Sequence, residues 1–262
     1  MSEFQLNIKF DDESKETAEV WVDGKLNSNS TSFIFDTGCA HTSIPFNDFS
    51  SSLKSLGLRD SSGALGKATY ELVSIDSLEI GPIQKTDWMV SRARPDELDR
   101  NLLGMDILKD YCLQFHFAQN KVKIISHVDE TFKEDLILDK GSIPYVEVTC
   151  GTTIARAVWD SGAGITLVDL EFLKQNSSLF KKLGSTTGTD STGSTQETPL
   201  YEMQPVQIGG RLFPAHPVVA VNLSHINSQV EIPMDFILGY STLSKASWVF
   251  DFPRRKWGFL DT

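Results

Sequence analysis

A long internal repeat constrains this chain more than any other feature. FIFDTGCAHTSIP at 33–45 aligns with AVWDSGAGITLVD at 157–169: apolar or aromatic residues, then Asp, Thr or Ser, Gly, and a Thr four positions beyond the Gly. Asp160 follows Asp36 by 124 positions. Agreement continues downstream, with SLEIGP at 77–82 against PVQIGG at 205–210, and LLGMDILKDYCLQFHFAQNKVKI at 102–124 against ILGYSTLSKASWVFDFPRRKWGF at 237–259. Duplication at so long a period fixes an architecture that local propensity cannot. The offsets grow from 124 to 128 to 135, so insertions fall between the blocks, where loops belong. The join lies near 126–142, a charged stretch containing DETFKED, and the expected lobes are 1–127 and 128–262.

Each copy reads as β structure. Phe4, Leu6, Ile8 and Phe10 alternate with polar residues, which predicts a strand with one buried face. AEVWVDGK at 18–25 repeats the pattern, and short apolar runs follow at 33–35, 72–80, 112–117, 121–125, 145–148, 154–159, 203–208, 217–221 and 248–252. Gly, Asn, Asp and Pro punctuate them, as turns between strands require. Helix signals are few, at 46–56, 105–110, 169–182 and 240–245.

Composition narrows the partners. Hydrophobic residues make up 40% and charged residues 23%, enough for a core without disulfides or metal. The 24 basic residues are outnumbered by 35 acidic ones, for a net charge of −11, and no basic run follows a phosphate backbone, so neither nucleic acid nor a membrane surface is an expected partner. Cys39, Cys112 and Cys150 form no CxxC pair and no Cys/His cluster, which predicts reduced thiols and no metal site. MSEFQLNIKFDDESKE has neither a basic nor an apolar leader region, and no run of about 18 apolar residues occurs, so the expectation is a soluble cytoplasmic protein.

The chemistry lies in the repeated triplets, Asp36-Thr37-Gly38 and Asp160-Ser161-Gly162. Each ends an apolar strand. Gly lets the backbone turn sharply and approach a ligand, and the neighbouring hydroxyl is free to bond across to the opposite copy. A pseudo-twofold axis brings the two carboxylates face to face, where they cannot both ionise cheaply and hold one proton between them. That state supplies one acid and one base to amide hydrolysis without a metal, a cofactor or a covalent nucleophile. A lone Asp-[Ser/Thr]-Gly arises by chance about once in several chains of this size. RDSSG at 59–63 and TDSTG at 189–193 follow no apolar strand and read as ordinary turns. The weight rests on two copies with matching flanks.

On these residues the chain resembles the aspartic peptidases of the pepsin and retroviral-protease group. DTG at 36–38 and DSG at 160–162 match that group's catalytic triplet, LLG at 102–104 and ILG at 237–239 resemble the apolar-apolar-Gly element packed behind it, and WVFDFPRRKWGF resembles the pepsin-type closing hairpin. The likeness runs from about residue 4 to 260, with halves shorter than pepsin lobes and a texture closer to retroviral-type proteins, as in a single-chain tandem of two retropepsin-like units. It implies an all-β acid-protease β-barrel fold with two pseudo-twofold-related lobes and a few short helices. It also implies catalytic roles for Asp36 and Asp160, a cross-lobe hydroxyl network from Thr37 and Ser161, backbone groups of Gly38 and Gly162 near the substrate, and buried scaffold hydroxyls at Thr42 and Thr166.

The resemblance places a flap at SSGALGKATYEL, 61–72, with Gly63 and Gly66 giving mobility. Tyr70 reads equally as the flap aromatic or an outward strand tyrosine. TGTDSTGSTQET at 187–198, with Gly193, is the counterpart, although its polarity also fits a plain loop. Cys39 and Ala163 stand where pepsin-like enzymes carry Ser or Thr, and loss of a hydroxyl to the carboxylate predicts activity at mildly acidic to near-neutral pH. Cys39 reads as a small buried thiol, with oxidation or alkylation the alternative. The five histidines show no ligand spacing and no Ser-His-Asp pattern.

The sequence therefore predicts a monomeric aspartic endopeptidase acting on an extended peptide or protein substrate, with a catalytically silent peptide-binding module on the same fold as the alternative. An unrelated β-sandwich adhesion protein would need the triplets to be coincidental.

Overall fold

The computed structural model describes residues 2–12, 14–95, 100–129, 132, 134–190 and 192–260. It is mostly β-sheet with short helices only, an all-β aspartic protease fold.

Three sheets account for the strands. An eight-stranded sheet runs in the order Asn7–Phe10, Ala18–Leu26, Asn29–Phe35, Asn101–Leu103, Ser43–Ile44, Ile83–Arg92, Lys67–Ile80, Gly57–Ser62. A ten-stranded sheet is drawn from residues 137–238. Between them, a six-stranded sheet runs Ser2–Gln5, Lys121–Ile125, Cys112–His116, Ser247–Asp251, Lys256–Phe259, Glu134–Asp135. Its middle pair joins the two repeats, with Leu113 opposite Phe250 and Phe115 opposite Trp248.

The strand ending in each triplet is held the same way in both repeats. Asn29–Phe35 lies parallel to Asn101–Leu103, with Phe35 beside Leu103, and Thr153–Trp159 lies parallel to Phe236–Leu238, with Trp159 beside Leu238. The chain then turns, and Ser43 and Leu167 pair back on the other side of these same short strands. Phe35 and Trp159, each just before an Asp, are fully buried and meet over Phe115, at centroid distances of 5.5 and 4.7 Å. Trp159 also packs on Phe250 at 4.5 Å and Trp248 at 5.7 Å. Such aromatic pairs add about 0.5–1.5 kcal/mol each beyond their buried area, so the floor of the site is rigid.

Several elements differ from their sequence reading. The N-terminal segment is two strands: Ser2–Gln5 joins the six-stranded sheet, Asn7–Phe10 joins the eight-stranded one, and the chain crosses between them at buried Leu6, whose N–H bonds Asn120 O at 2.7 Å. Alternation therefore fails at its end, where Phe10 is 52% exposed and edges onto Tyr240. The helices shrink to Asp48–Ser51, Met105–Leu108, Leu170–Gln175 and Tyr240–Leu243, with a further turn at Ser224–Asn227. Among the described residues no helix is long and apolar enough to cross a membrane.

Candidate functional site

Asp36 and Asp160 sit at matching chain turns. Asp36 N–H donates to Leu103 O and Asp160 N–H to Leu238 O, both at 3.0 Å. Each carboxylate then accepts the N–H of its own triplet's glycine, Gly38 to Asp36 Oδ1 at 3.0 Å and Gly162 to Asp160 Oδ1 at 2.8 Å. The glycines are required by contact with the opposite copy. A Cβ on Gly38 would lie 2.3 Å from Asp160 Cγ, and one on Gly162 would lie 2.4 Å from Asp36 Cγ. No side chain fits there, because each glycine's backbone covers the other triplet's carboxyl.

The hydroxyls cross between copies as well. Thr37 Oγ1 donates to Trp159 O at 2.8 Å and accepts the Ser161 N–H at 3.0 Å. Ser161 Oγ donates to Phe35 O at 2.6 Å and accepts the Thr37 N–H at 3.2 Å. Thr37 and Ser161 are buried, so these four bonds are shielded from water.

Behind the triplets, Thr42 Oγ1 accepts the Gly104 N–H at 3.1 Å and Thr166 Oγ1 accepts the Gly239 N–H at 3.0 Å. Both threonines are fully buried. A Cβ on Gly104 would meet His41 C at 2.6 Å, and one on Gly239 would meet Ile165 O at 2.4 Å. Close approach of two backbone segments thus dictates the glycine of LLG and of ILG.

Residues 22–110 match the family model described as "gag-polyprotein putative aspartyl protease". Over that stretch, which includes Asp36-Thr37-Gly38 and Leu102-Leu103-Gly104, the chain is similar to retroviral-type aspartyl proteases. No curated protein matches the chain.

Electrostatics set the proton state. The Asp36 and Asp160 carboxyls lie close enough to interact, each against the other triplet's glycine. Burial lifts Asp36 well above the ordinary carboxylate range, and the charge of Asp160 adds to it. Burial raises Asp160 too, offset in part by N–H groups from Gly162, Ala163 and Gly38. Two carboxyls this close do not both ionise cheaply, which agrees with the upward direction of both. At the positions following the triplets, neither the Cys39 nor the Ala163 side chain offers a hydroxyl to the carboxylates. The Cys39 thiol donates to His41 O at 3.1 Å, and burial, followed by the Asp36 charge, pushes its pKa far up, which leaves it a poor nucleophile.

The two polar segments read as flaps are both hairpins. Gly57–Ser62 pairs with Lys67–Ile80 and closes where Gly63 N–H donates to Gly66 O at 2.9 Å. The second segment is longer than read: Phe180–Thr189 pairs with Thr195–Met203, and Gly193, at φ 82°, sits in its tip. The tips touch. Asp190 Oδ2 accepts the N–H of Leu65 at 2.7 Å and of Gly66 at 3.1 Å, while Oδ1 accepts Thr192 N–H, Thr192 Oγ1 and Ser194 N–H. His225 Nε2 reaches Gly63 O at 3.0 Å and Ser62 Oγ reaches Gln229 Oε1 at 3.1 Å.

Gly63 and Gly66 consequently have a packing role, since a Cβ on either would fall 2.4 Å from Asp190 Oδ2 or 2.0 Å from Ser194 Oγ. Tyr70 is not an outward strand tyrosine. It is 5% exposed and packed among Ile34, Ala68, Ala93 and Leu102, in a small cluster apart from the main core with Cys39 and Trp21 against it. Asp190 was hidden by the ordinary look of TDSTG, and only the cross-hairpin register separates it from a plain turn aspartate.

Proposed function

We propose that this protein is an aspartic endopeptidase built as a single-chain tandem of two retropepsin-like units, residues 1–127 and 128–262, with Asp36 and Asp160 as its catalytic pair. The observation that carries this reading is the reciprocal packing of each triplet's glycine on the other's carboxyl, and the raised pKa of both carboxyls supports a pair that shares one proton. In this mechanism the ionised carboxylate takes a proton from water, water attacks the scissile carbonyl carbon, and the protonated carboxyl gives its proton to the carbonyl oxygen. Collapse of the tetrahedral diol, with proton return to the amine, breaks the C–N bond. Gly38 and Gly162 contribute backbone groups beside the substrate, and Thr37 and Ser161 fix the spacing of the pair. The two hairpins, with Gly63, Gly66 and Gly193 at their tips, close over an extended peptide held by strand-like hydrogen bonds.

Both triplets lie in one chain, which supports a monomer, and the unpaired state of Cys39, Cys112 and Cys150 supports a reducing cytoplasmic setting. The test is cleavage of a mixed peptide library from pH 3 to 8 by wild type, Asp36→Asn and Asp160→Asn. Cleavage by wild type alone is the expected result. Wild type that stays folded and cuts nothing at any pH would overturn the reading in favour of peptide capture without hydrolysis.

A further inference from the structure

The backbone behind the two aspartates is braced by different chemistry. Behind Asp36, the peptide unit joining Leu103 and Gly104 accepts the Asp36 N–H at its carbonyl, 3.0 Å, and donates its own N–H to Thr42 Oγ1, 3.1 Å. Thr42 Oγ1 donates onward to Asp106 Oδ1 at 2.7 Å, and that carboxylate also takes the Thr42 N–H at 2.9 Å. The line ends on an acceptor.

Behind Asp160, the peptide unit joining Leu238 and Gly239 does the same, with 3.0 Å from Asp160 N–H and 3.0 Å to Thr166 Oγ1. From there the path differs. Thr166 Oγ1 lies 2.6 Å from Thr242 Oγ1, Thr242 Oγ1 lies 2.7 Å from His216 Nε2, and His216 Nδ1 lies 2.7 Å from Pro214 O. Thr166, Thr242 and His216 are all buried.

The ends of this chain fix its proton directions. A carbonyl only accepts, so Nδ1 of His216 carries a hydrogen and the neutral ring presents a lone pair at Nε2. Thr242 therefore donates to His216, Thr166 donates to Thr242, and Gly239 N–H donates to Thr166. Every hydroxyl gives once and takes once.

We propose that His216, as the neutral Nδ1–H tautomer, is a positioning residue for Asp160, acting through Thr242, Thr166 and the peptide unit joining Leu238 and Gly239. The proposal rests on the peptidase reading above for its consequence in catalysis. A protonated ring donates from both nitrogens, which turns the Thr242 hydroxyl toward Thr166. Thr166 Oγ1 then faces two donors, Gly239 N–H and Thr242, while its own proton points at neither of its partners' lone pairs. The cheapest relief is to loosen the Gly239 bond, which shifts the peptide that fixes the Asp160 backbone.

The charged groups that act on the ring are Lys245 and Glu16, which oppose each other and are ion-paired at 3.8 Å. Burial holds the ring below the ordinary histidine value of 6.5. With the folded value depressed, the bracing is intact above pH 6.5 and is lost as pH falls through the folded pKa. The Asp36 side ends instead on the Asp106 carboxylate and holds no imidazole in its line, so the two halves are braced by different groups.

His216→Gln keeps an uncharged acceptor and His216→Phe removes it. At pH 7 the Phe variant should lose about tenfold in kcat with KM unchanged within about twofold. The Gln variant should stay within about threefold of wild type, and its activity relative to wild type should rise as pH falls from 6.5 toward 4. A merely structural role would lower both variants by the same factor at every pH. Separately, NMR of Asp36→Asn protein, whose pair no longer shares a proton, reads the imidazole nitrogens and the backbone amides. The expected result is an Nδ1–H tautomer at pH 7, with the Gly239 and Asp160 amides titrating with the ring and the Gly104 amide not following it. An Nε2–H tautomer, or a Gly239 amide indifferent to the ring, overturns the proposal even if both variants misfold. Coupled amide titration, alongside a wild type that cleaves nothing, supports the His216 linkage and overturns only the peptidase reading.

Discussion

Asp36 is buried, Asp160 is half-buried beside it, and both are harder to hold charged than in water. Because burial raises both pKa values, the folded state binds more protons than the unfolded one above the ordinary aspartate value of 3.8. The pair's stability is therefore fully present below that value and is lost as pH rises through the folded pKa. Asp36→Asn should then abolish peptide cleavage yet raise Tm at pH 7 by roughly 2–4 °C per kcal/mol gained, with the gain vanishing near pH 3, as scanning calorimetry at the two pH values would show. A variant less stable than wild type at pH 7 would mean that the carboxylate's hydrogen bonds outweigh its desolvation. Thr37→Val has the opposite sign. It strands the Ser161 N–H and the Trp159 carbonyl in a buried place and should cost about 2–4 kcal/mol, measurable by urea denaturation. The residues that announce themselves in the sequence are those with a partner at the same place in the other repeat. His216, Asp106 and Asp190 have none: where one half braces its loop with a carboxylate the other uses an imidazole, so comparing the halves removes them from view.

Among the elements, the hairpin pair shows how position overrides local composition. Phe180–Thr189 and Thr195–Met203 are polar enough to read as a loop, and 169–182 reads as helix as far as Lys182. The helix instead stops at Gln175, where the Asn176 side chain caps Phe172 O at 3.0 Å, and the chain becomes a strand because Thr195–Met203 is there to pair with it. That partner lies too far along the chain for a helix-period argument to register. Likewise, the helix after Asn47 ends early because buried Arg92 takes the carbonyls of Ser50 and Leu53. For the tips, Asp190 accepts two N–H groups from the other hairpin and closes its own turn at the same time. Asp190→Ala should therefore speed hydrogen exchange at Leu65 and Gly66 by about tenfold or more. Peptide cleavage in that variant should show KM raised about threefold to tenfold and kcat within about twofold, the signature of a lid group remote from the reacting atoms. A fall in kcat alone would instead place Asp190 in the chemistry.

At the scale of the whole molecule, the six-stranded sheet decides whether the repeats behave as two proteins or one. Cys112–His116 pairs with Ser247–Asp251 along its full length, and the aromatic residues beneath that seam come from both repeats, with Phe115 touching Phe35, Trp159 and Phe250. Neither repeat completes this core alone, and the crossed Thr37 and Ser161 bonds add a second seam directly above it. Unfolding of the first repeat would expose Trp159 and Trp248 of the second, and unfolding of the second would expose Phe115 of the first, a loss no separate lobe of this size could sustain. Heating should therefore give one calorimetric transition, with van't Hoff and calorimetric enthalpies equal. Phe115→Ala, which empties the point where both triplet strands rest, should cost about 3–5 kcal/mol while keeping the transition single. Two resolved transitions in wild type would show that the seam is weaker than its pairing implies. In that case the spacing of Asp36 and Asp160 would depend on the Thr37 and Ser161 bonds alone, and Thr37→Val would abolish cleavage rather than merely weaken the fold.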